Sequence, residues 1–106
     1  MIAYISHPYT GNEQENVKEA ETIAIRLTHR YQDIVFINPL SAMKHEGLAG
    51  LDYSTVINHC LALLRRCDVL IMTGEWRKSR GCLLEREFAH KNKIPVYDSI
   101  EAFEEK

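Results

Sequence analysis

The sequence predicts an α/β fold in which helices cover both faces of a parallel sheet of four to five strands. Short apolar runs of strand length alternate along the chain with longer segments whose apolar residues recur at helical spacing. Strands that alternate with helices are typical of parallel sheets joined by right-handed crossovers. The 106 residues are enough for one domain, and no repeat or linker divides them. We therefore expect a single domain over residues 1–106.

The first part of the chain supplies two predicted strands and one long helix. Residues 1–6 form a short apolar run that predicts the first strand, and the loop sequence HPYTG at residues 7–11 ends it. Asn12 is the predicted N-cap of a helix with apolar residues at helical spacing over about five turns. Residues 34–37 predict the second strand, which an Asn-Pro pair terminates.

The second part of the chain is predicted to hold two more strands, two long helices and a closing helical segment. Residues 40–51 form a connection with two glycines, which either carries a short helix or stays mobile, and whether it acts as a lid is open. Asp52 is the predicted cap of the next helix. In order, that helix extends to Arg66, a strand covers residues 68–72, a helix 79–93, a strand 95–97 and a helical segment 99–104.

Charge and hydropathy argue against nucleic-acid or membrane binding. The formal charge of −2 and the sequence pI near 6.2 give no global attraction to polyanions. No apolar stretch has the length of a membrane-spanning helix, and the first residues resemble a strand rather than a signal peptide. We expect neither nucleic acid nor membrane as a partner.

The cysteine and histidine pattern argues against a disulfide framework or a metal site. Cys60, Cys67 and Cys82 form no C-x-x-C pair, and an odd number fits free thiols in a reducing compartment. The five histidines are scattered without the spacing of metal ligands. We therefore expect a cytoplasmic protein that holds no metal and uses no cofactor.

The predicted topology brings two loops together. In parallel sheets, ligands bind beyond the carboxyl ends of the strands, where the strand order reverses. Residues 6–11 follow the first strand and residues 73–81 follow the third, so both loops should border that site.

Glu85 is the strongest candidate for a functional side chain. At 100° per residue it falls in the middle of the apolar side of the third long helix, where a carboxylate is costly without partners or a role. It either pairs with first-turn amides or a buried arginine, or acts as a nucleophile or general base in a dry cleft. The helix N-terminus favours its ionised form and burial disfavours it, so hydroxyl donors such as Tyr4 and Tyr9 would be needed. Tyr4 alone also fits ordinary strand packing.

Further candidates lie in the two loops. Ser79 and Gly81 at the start of the third helix can form an anion site, reinforced by Arg77 or Arg80, although Ser79 also fits a simple N-cap. Trp76 can stack on a flat ring or cover the core. The first loop adds further candidate substrate-binding residues, which are Ser6, His7, Pro8 and Tyr9.

Two motifs resemble a known family. Residues 4–11 (YISHPYTG) are similar to the Y-(I/L)-(A/S)-G-P opening of nucleoside 2-deoxyribosyltransferase-like proteins, and residues 67–85 (CDVLIMTGEWRKSRGCLLE) are similar to their second hallmark. The second segment resembles in particular the D…GW..S.G…E pattern of the small branch grouped as the DUF4406 family. The resemblance covers nearly the whole chain, and the two motifs together are fairly specific.

The resemblance implies a flavodoxin-like three-layer sandwich and a glutamate that attacks the anomeric carbon of a deoxynucleoside or deoxynucleoside monophosphate. That glutamate corresponds to Glu85, the family's first-strand tyrosine to Tyr4, and the serine that contacts a 5′-phosphate to Ser79. The implied reaction is a retaining transfer, in which a carboxylate traps the sugar and water or a second base completes the exchange. The resemblance also implies a homo-oligomer, a dimer or larger, whose clefts a neighbouring subunit completes.

The chain departs from the family pattern at two positions. Eight residues before Asp68, where the family has an aspartate that assists proton transfer at the base, it has the inward-facing Cys60, and His7 replaces the loop glycine. Loss of a general acid typically costs about a hundred- to ten-thousand-fold in rate. Activity on good leaving groups, proton donation by His7, and binding without cleavage all remain open.

Three functional hypotheses follow. The first is an N-glycosidase or deoxyribosyltransferase acting on deoxynucleosides or their monophosphates, with Glu85 as nucleophile and Tyr4 orienting it. The second is a non-catalytic module that senses or sequesters a nucleotide. The third is a structural subunit whose helices mainly form an oligomer.

Overall fold

A four-stranded, all-parallel sheet forms the centre of the computed structural model, which describes residues 1–105. The strands lie in the order β2-β1-β3-β4, and every neighbouring pair runs parallel. This is the start of the 2-1-3-4-5 order of flavodoxin-like sheets, so the predicted fold class is confirmed. The strands are β1 (Ile2–Ser6), β2 (Val35–Ile37), β3 (Val69–Met72) and β4 (Val96–Tyr97).

Helices follow each strand, as predicted, with bounds that differ by one or two residues. Residues 40–51, predicted as a connection, belong mostly to two short helices, α2 (Pro39–Ala42) and α3 (Lys44–Leu48). Residues 76–78 add a 3-10 turn. The helices are α1 (Glu13–Arg30), α2 (Pro39–Ala42), α3 (Lys44–Leu48), α4 (Tyr53–Leu64), α5 (Arg80–Lys91) and α6 (Ile100–Glu104).

Two of the three predicted N-cap side chains make a cap hydrogen bond. The Asp52 side chain accepts a hydrogen bond from the backbone N–H of Thr55 at 2.8 Å, and Ser79 accepts one from Cys82 at 3.2 Å. Asn12 occupies the predicted N-cap position, but its side chain makes no cap hydrogen bond.

Alternation along the strands builds a core on each face of the sheet. Tyr4, Leu70 and Met72 point to one face, where they pack with buried residues of α4 and α5. Ala3, Val69 and Ile71 point to the other face, around Phe103 of α6. Rings from Tyr31, Phe36 and Tyr97 surround Phe103, with centroid separations of 5.5 to 6.0 Å from it.

The carboxyl ends of β1 and β3 lie side by side. Thr73 joins them, because its backbone N–H and its hydroxyl both donate to the carbonyl of Ser6, at 2.9 and 2.8 Å. From β1 the sheet extends to β2 on one side and to β3 on the other, so the strand order reverses here. The loops after β1 and β3 therefore meet at one edge of the sheet, as the sequence predicts.

Candidate functional site

A cavity of about 1190 Å³ opens at this edge of the sheet. The loops after β1 and β3 and the first turns of α5 form its polar side. The other side comes from residues 39–57 and is mostly apolar. The apolar wall includes Leu40, Met43, Leu51, Tyr53, Val56 and Ile57.

Glu85 lines this cavity from the second turn of α5 and is only 5% exposed. The hydroxyl of Ser6 donates to one carboxyl oxygen, Oε1, at 2.7 Å, and the hydroxyl of Tyr4 donates to the other, Oε2. Ser6 and Tyr4 are two residues apart on β1, so the alternation of the strand directs both side chains to the same face. The predicted inward orientation of Glu85 is confirmed, and the second hydroxyl donor is Ser6 rather than Tyr9.

Burial dominates the electrostatics of this group. It raises the pKa of Glu85 to about 7, against the opposing effect of the hydrogen bonds from Ser6 and Tyr4. Burial, and then the charge of Glu85, hold the pKa of Tyr4 well above its ordinary value, so the phenol remains a hydrogen-bond donor. At neutral pH the carboxyl group is therefore divided between its acid and its ionised form.

Cys60 is buried on α4, close enough to Tyr4 and Glu85 for both to affect its thiol. Burial and the charge of Glu85 raise the pKa of its thiol to about 11. The predicted inward orientation of Cys60 is confirmed, and the thiol stays protonated at neutral pH. Cys67 and Cys82 are likewise free and buried.

His7 lies in the wall of the cavity with its side chain only 1% exposed. Its Nδ1 is 2.8 Å from the carbonyl oxygen of Pro8, and its Nε2 is 3.1 Å from Oε1 of Glu19 on α1. Gly74 packs directly against the ring, since a Cβ atom there would lie 2.9 Å from Nε2. The partner Glu19 was not identified from the sequence, because nothing in the apolar spacing of α1 marks it.

The remaining predicted residues separate into two groups. Pro8, Tyr9, Ser79 and Gly81 line the cavity, together with the cations Lys44, Lys78 and Arg80. Trp76 lies instead in the core between β3 and α5, where its indole N–H donates to the carbonyl of Asp98 at 3.0 Å. The guanidinium of Arg77 lies over that indole ring, 4.2 Å from its centroid. The structure thus assigns Trp76 the core-covering position of its two predicted alternatives.

A second buried carboxylate, Glu46 on α3, was also not predicted from the sequence. Its Oε2 is 2.8 Å from Nδ1 of His59 on α4, so the pair ties α3 to α4. Its Oε1 is buried, and no hydrogen-bond partner for it occurs within residues 1–105. Sequence spacing gives no signal for this residue, because the five residues of α3 are too few to show a helical period.

The described part of the chain shows neither a candidate metal site nor a helix that could cross a membrane. Within residues 1–105, no group of three or more His, Cys, Asp or Glu side chains is arranged to hold a metal ion. None of the helices in that range combines the length and apolar character needed to cross a membrane.

Comparison with known proteins gives a family but no individual relative. Neither the curated proteins nor the solved structures contain a match to the chain. One family model, described as "Domain of unknown function (DUF4406)", matches residues 1–98. The match includes β1, which supplies the donors Tyr4 and Ser6, and the whole of α5, which supplies Glu85. The chain therefore belongs to the DUF4406 family.

Proposed function

We propose that this protein is an enzyme that cleaves or exchanges the N-glycosidic bond of a deoxynucleoside or deoxynucleoside monophosphate. The observation that carries the proposal is a buried carboxylate on a cavity wall, with each of its oxygens held by a hydroxyl donor. Glu85 is the nucleophile, and Ser6 and Tyr4 orient it. The resemblance of both motifs to nucleoside 2-deoxyribosyltransferase-like proteins supplies the reaction class.

Glu85 attacks the anomeric carbon in its ionised form and becomes a glycosyl ester as the base departs. Water or a second base then attacks the same carbon and releases the carboxylate, which retains the anomeric configuration. The Ser6 and Tyr4 hydroxyls fix the carboxylate before the reaction and stabilise it when it leaves. Because burial sets the pKa of Glu85 at about 7, the reactive fraction grows as the pH rises through that value.

The two sides of the cavity suit the two ends of a nucleotide. The apolar wall formed by residues such as Met43 and Tyr53 accepts a base through contact rather than through many hydrogen bonds. On the polar side, Ser79 and Arg80 lie at the N-terminus of α5, where partial positive charge favours a phosphate. No metal or cofactor enters this proposal.

One observation favours the alternative of a non-catalytic nucleotide-binding module that senses or sequesters its ligand. Cys60 occupies the inward position that the family resemblance gives to a proton-transferring aspartate. With a pKa of about 11, its thiol is a poor proton donor at neutral pH. A module of this kind would bind a nucleotide saturably and return it intact.

Liquid chromatography of a mixed deoxynucleoside and deoxynucleotide pool after incubation with the protein tests the proposal. We expect free bases, or exchanged bases when a second base is supplied. Glu85→Gln should abolish the change, whereas Glu87→Gln, an exposed position on the same helix, should leave it intact. An unchanged pool with saturable binding in calorimetry supports the binding module. Turnover that survives Glu85→Gln contradicts Glu85 as nucleophile.

A further inference from the structure

The last residue of β1 and the first residue of the loop after it each bind a carboxylate of the cavity. Ser6 directs its hydroxyl to Glu85, and the next residue, His7, directs its ring to Glu19 on the opposite side of the chain. Both carboxylates line the same cavity, but their surroundings differ. Glu85 is buried, whereas the Glu19 side chain is 57% exposed, so it is open to a ligand that enters the cavity.

The two contacts of His7 require a hydrogen at each ring nitrogen position. Its Nδ1 faces the carbonyl oxygen of Pro8, which can only accept, so Nδ1 donates there. Its Nε2 faces the carboxyl group of Glu19, and that hydrogen bond contains one proton, which lies either on the ring or on the carboxyl oxygen. The His7–Glu19 pair therefore holds one transferable proton next to the cavity, beside a ring almost closed to solvent.

The ring cannot easily turn away from Glu19. Gly74, in the loop after β3, packs against it so closely that a side chain at that position would lie 2.9 Å from Nε2. The bond to the Pro8 carbonyl fixes the other edge of the ring at 2.8 Å. A histidine that is held on both sides and paired with an exposed carboxylate is well oriented for proton transfer.

We infer that Glu19, charged with a proton by His7, is the general acid that protonates the departing base. This inference rests on the proposed function and deepens it by naming a second catalytic residue. Glu19 is the residue that touches the base, and His7 is the positioning residue that stores the proton. The His7–Glu19 pair thereby supplies the proton that Cys60, at the position of the family's aspartate, donates poorly.

The departure of the base and the hydrolysis of the glycosyl ester balance in protons and electrons. An oxygen of Glu85 forms a bond to the anomeric carbon, while the bond from that carbon to the base nitrogen breaks and leaves its electron pair on the base. The base takes the proton shared by the pair, which leaves a neutral imidazole that keeps its Nδ1–H bond to Pro8 and a Glu19 carboxylate. When water attacks the glycosyl ester, one of its protons returns to the pair and Glu85 is released.

Leaving-group dependence tests this role, since a general acid matters only for a base that must be protonated. The first substrate is the deoxynucleoside monophosphate that the wild type cleaves fastest. The second is a pyridinium deoxynucleoside monophosphate, whose leaving group departs as a neutral pyridine and needs no proton. Glu19→Gln should lower kcat/KM on the first substrate by about a hundredfold or more and leave the second at the wild-type rate. His7→Gln should show the same split.

The controls separate this inference from the proposed function. Glu21→Gln, an exposed position on the same helix outside the cavity, should change neither substrate, and Glu85→Gln should abolish both. Equal losses on both substrates in Glu19→Gln, or no loss on the first, overturn the role of Glu19 while Glu85 stands. A wild type that cleaves neither substrate overturns the proposed function, and this inference with it.

Discussion

The side chain of Glu85 links the chemistry of the site to the stability of the fold. Its pKa is about 7 in the folded protein against an ordinary value of 4.5, and burial is the main cause. The folded state thus retains a proton that the unfolded chain releases in this range. The free energy of unfolding that this retained proton contributes is fully present below pH 4.5 and is lost as the pH rises through 7. The shift corresponds to about 3 kcal/mol.

Replacing Glu85 by glutamine should therefore stabilise the protein in a pH-dependent way. Glutamine is close in shape and carries no charge, so the penalty for ionising a buried carboxylate disappears. The free energy of unfolding of Glu85→Gln relative to wild type should increase by about 2 to 3 kcal/mol between pH 5 and pH 8. Urea unfolding at the two pH values measures this difference. With Glu87→Gln as control, a difference that does not change with pH contradicts the burial argument.

The sequence reveals some residues of the site and not others, for a physical reason. Glu85 and Tyr4 are recognisable because helix and strand periods determine the direction of their side chains. The same period directs Ser6 to Glu85. The positions of Glu19 and Glu46 have no such signal, since their histidine partners approach from a different segment of the chain in each case. Contacts of this kind depend on the path of a loop, which no local pattern encodes.

The loop after β3 depends on a backbone conformation that favours glycine. Gly74 has a φ of +62°, in the left-handed region, and a Cβ atom there would contact the ring of His7 at 2.9 Å. Gly50 also has a positive φ, +81°, but nothing lies within 4 Å of its Cβ position. A comparison of substitutions at the two glycines therefore distinguishes the cost of backbone strain from the cost of the contact with His7.

Alanine at these two positions should have unequal effects. Gly50→Ala should lower the free energy of unfolding by about 1 to 2 kcal/mol, because the left-handed region is unfavourable for a residue with a Cβ. Gly74→Ala should cost more than Gly50→Ala, since the ring of His7 must also move. Urea denaturation of both variants measures the costs. Equal losses would indicate that the loop relaxes without disturbing His7.

At the level of elements, the sequence predicts what local patterns control. All strands and long helices occur where the periods place them, and Asp52 and Ser79 cap their helices because each side chain reaches the amide three residues ahead. The helices α2 and α3 are too short for a period to show. Asn12 differs from the other caps, since its side chain makes no cap bond. At this helix end the Glu13 carboxylate accepts a hydrogen bond from the amide of Gly11.

For the whole molecule, the distribution of exposed apolar side chains favours self-association beside the cavity. Leu48 at the end of α3 is 81% exposed, and Leu51 and Tyr53, which follow it toward α4, are exposed and line the cavity. Exposed apolar groups that cluster around a site are typical of interaction surfaces. We therefore expect a homo-oligomer, a dimer or larger, with this surface at its interface.

Leu48→Glu should dissociate that oligomer. In a symmetric dimer the substitution occurs on both subunits, and each removes about 2 kcal/mol of apolar burial, so the dissociation constant should rise by about a hundred- to a thousandfold. Light scattering after size-exclusion chromatography over a concentration series measures the change. Ile25→Glu is the matched control, because Ile25 is 64% exposed but lies in a separate groove on α1. A wild type that is monomeric at every concentration, or dissociation by Ile25→Glu alone, contradicts an interface beside the cavity.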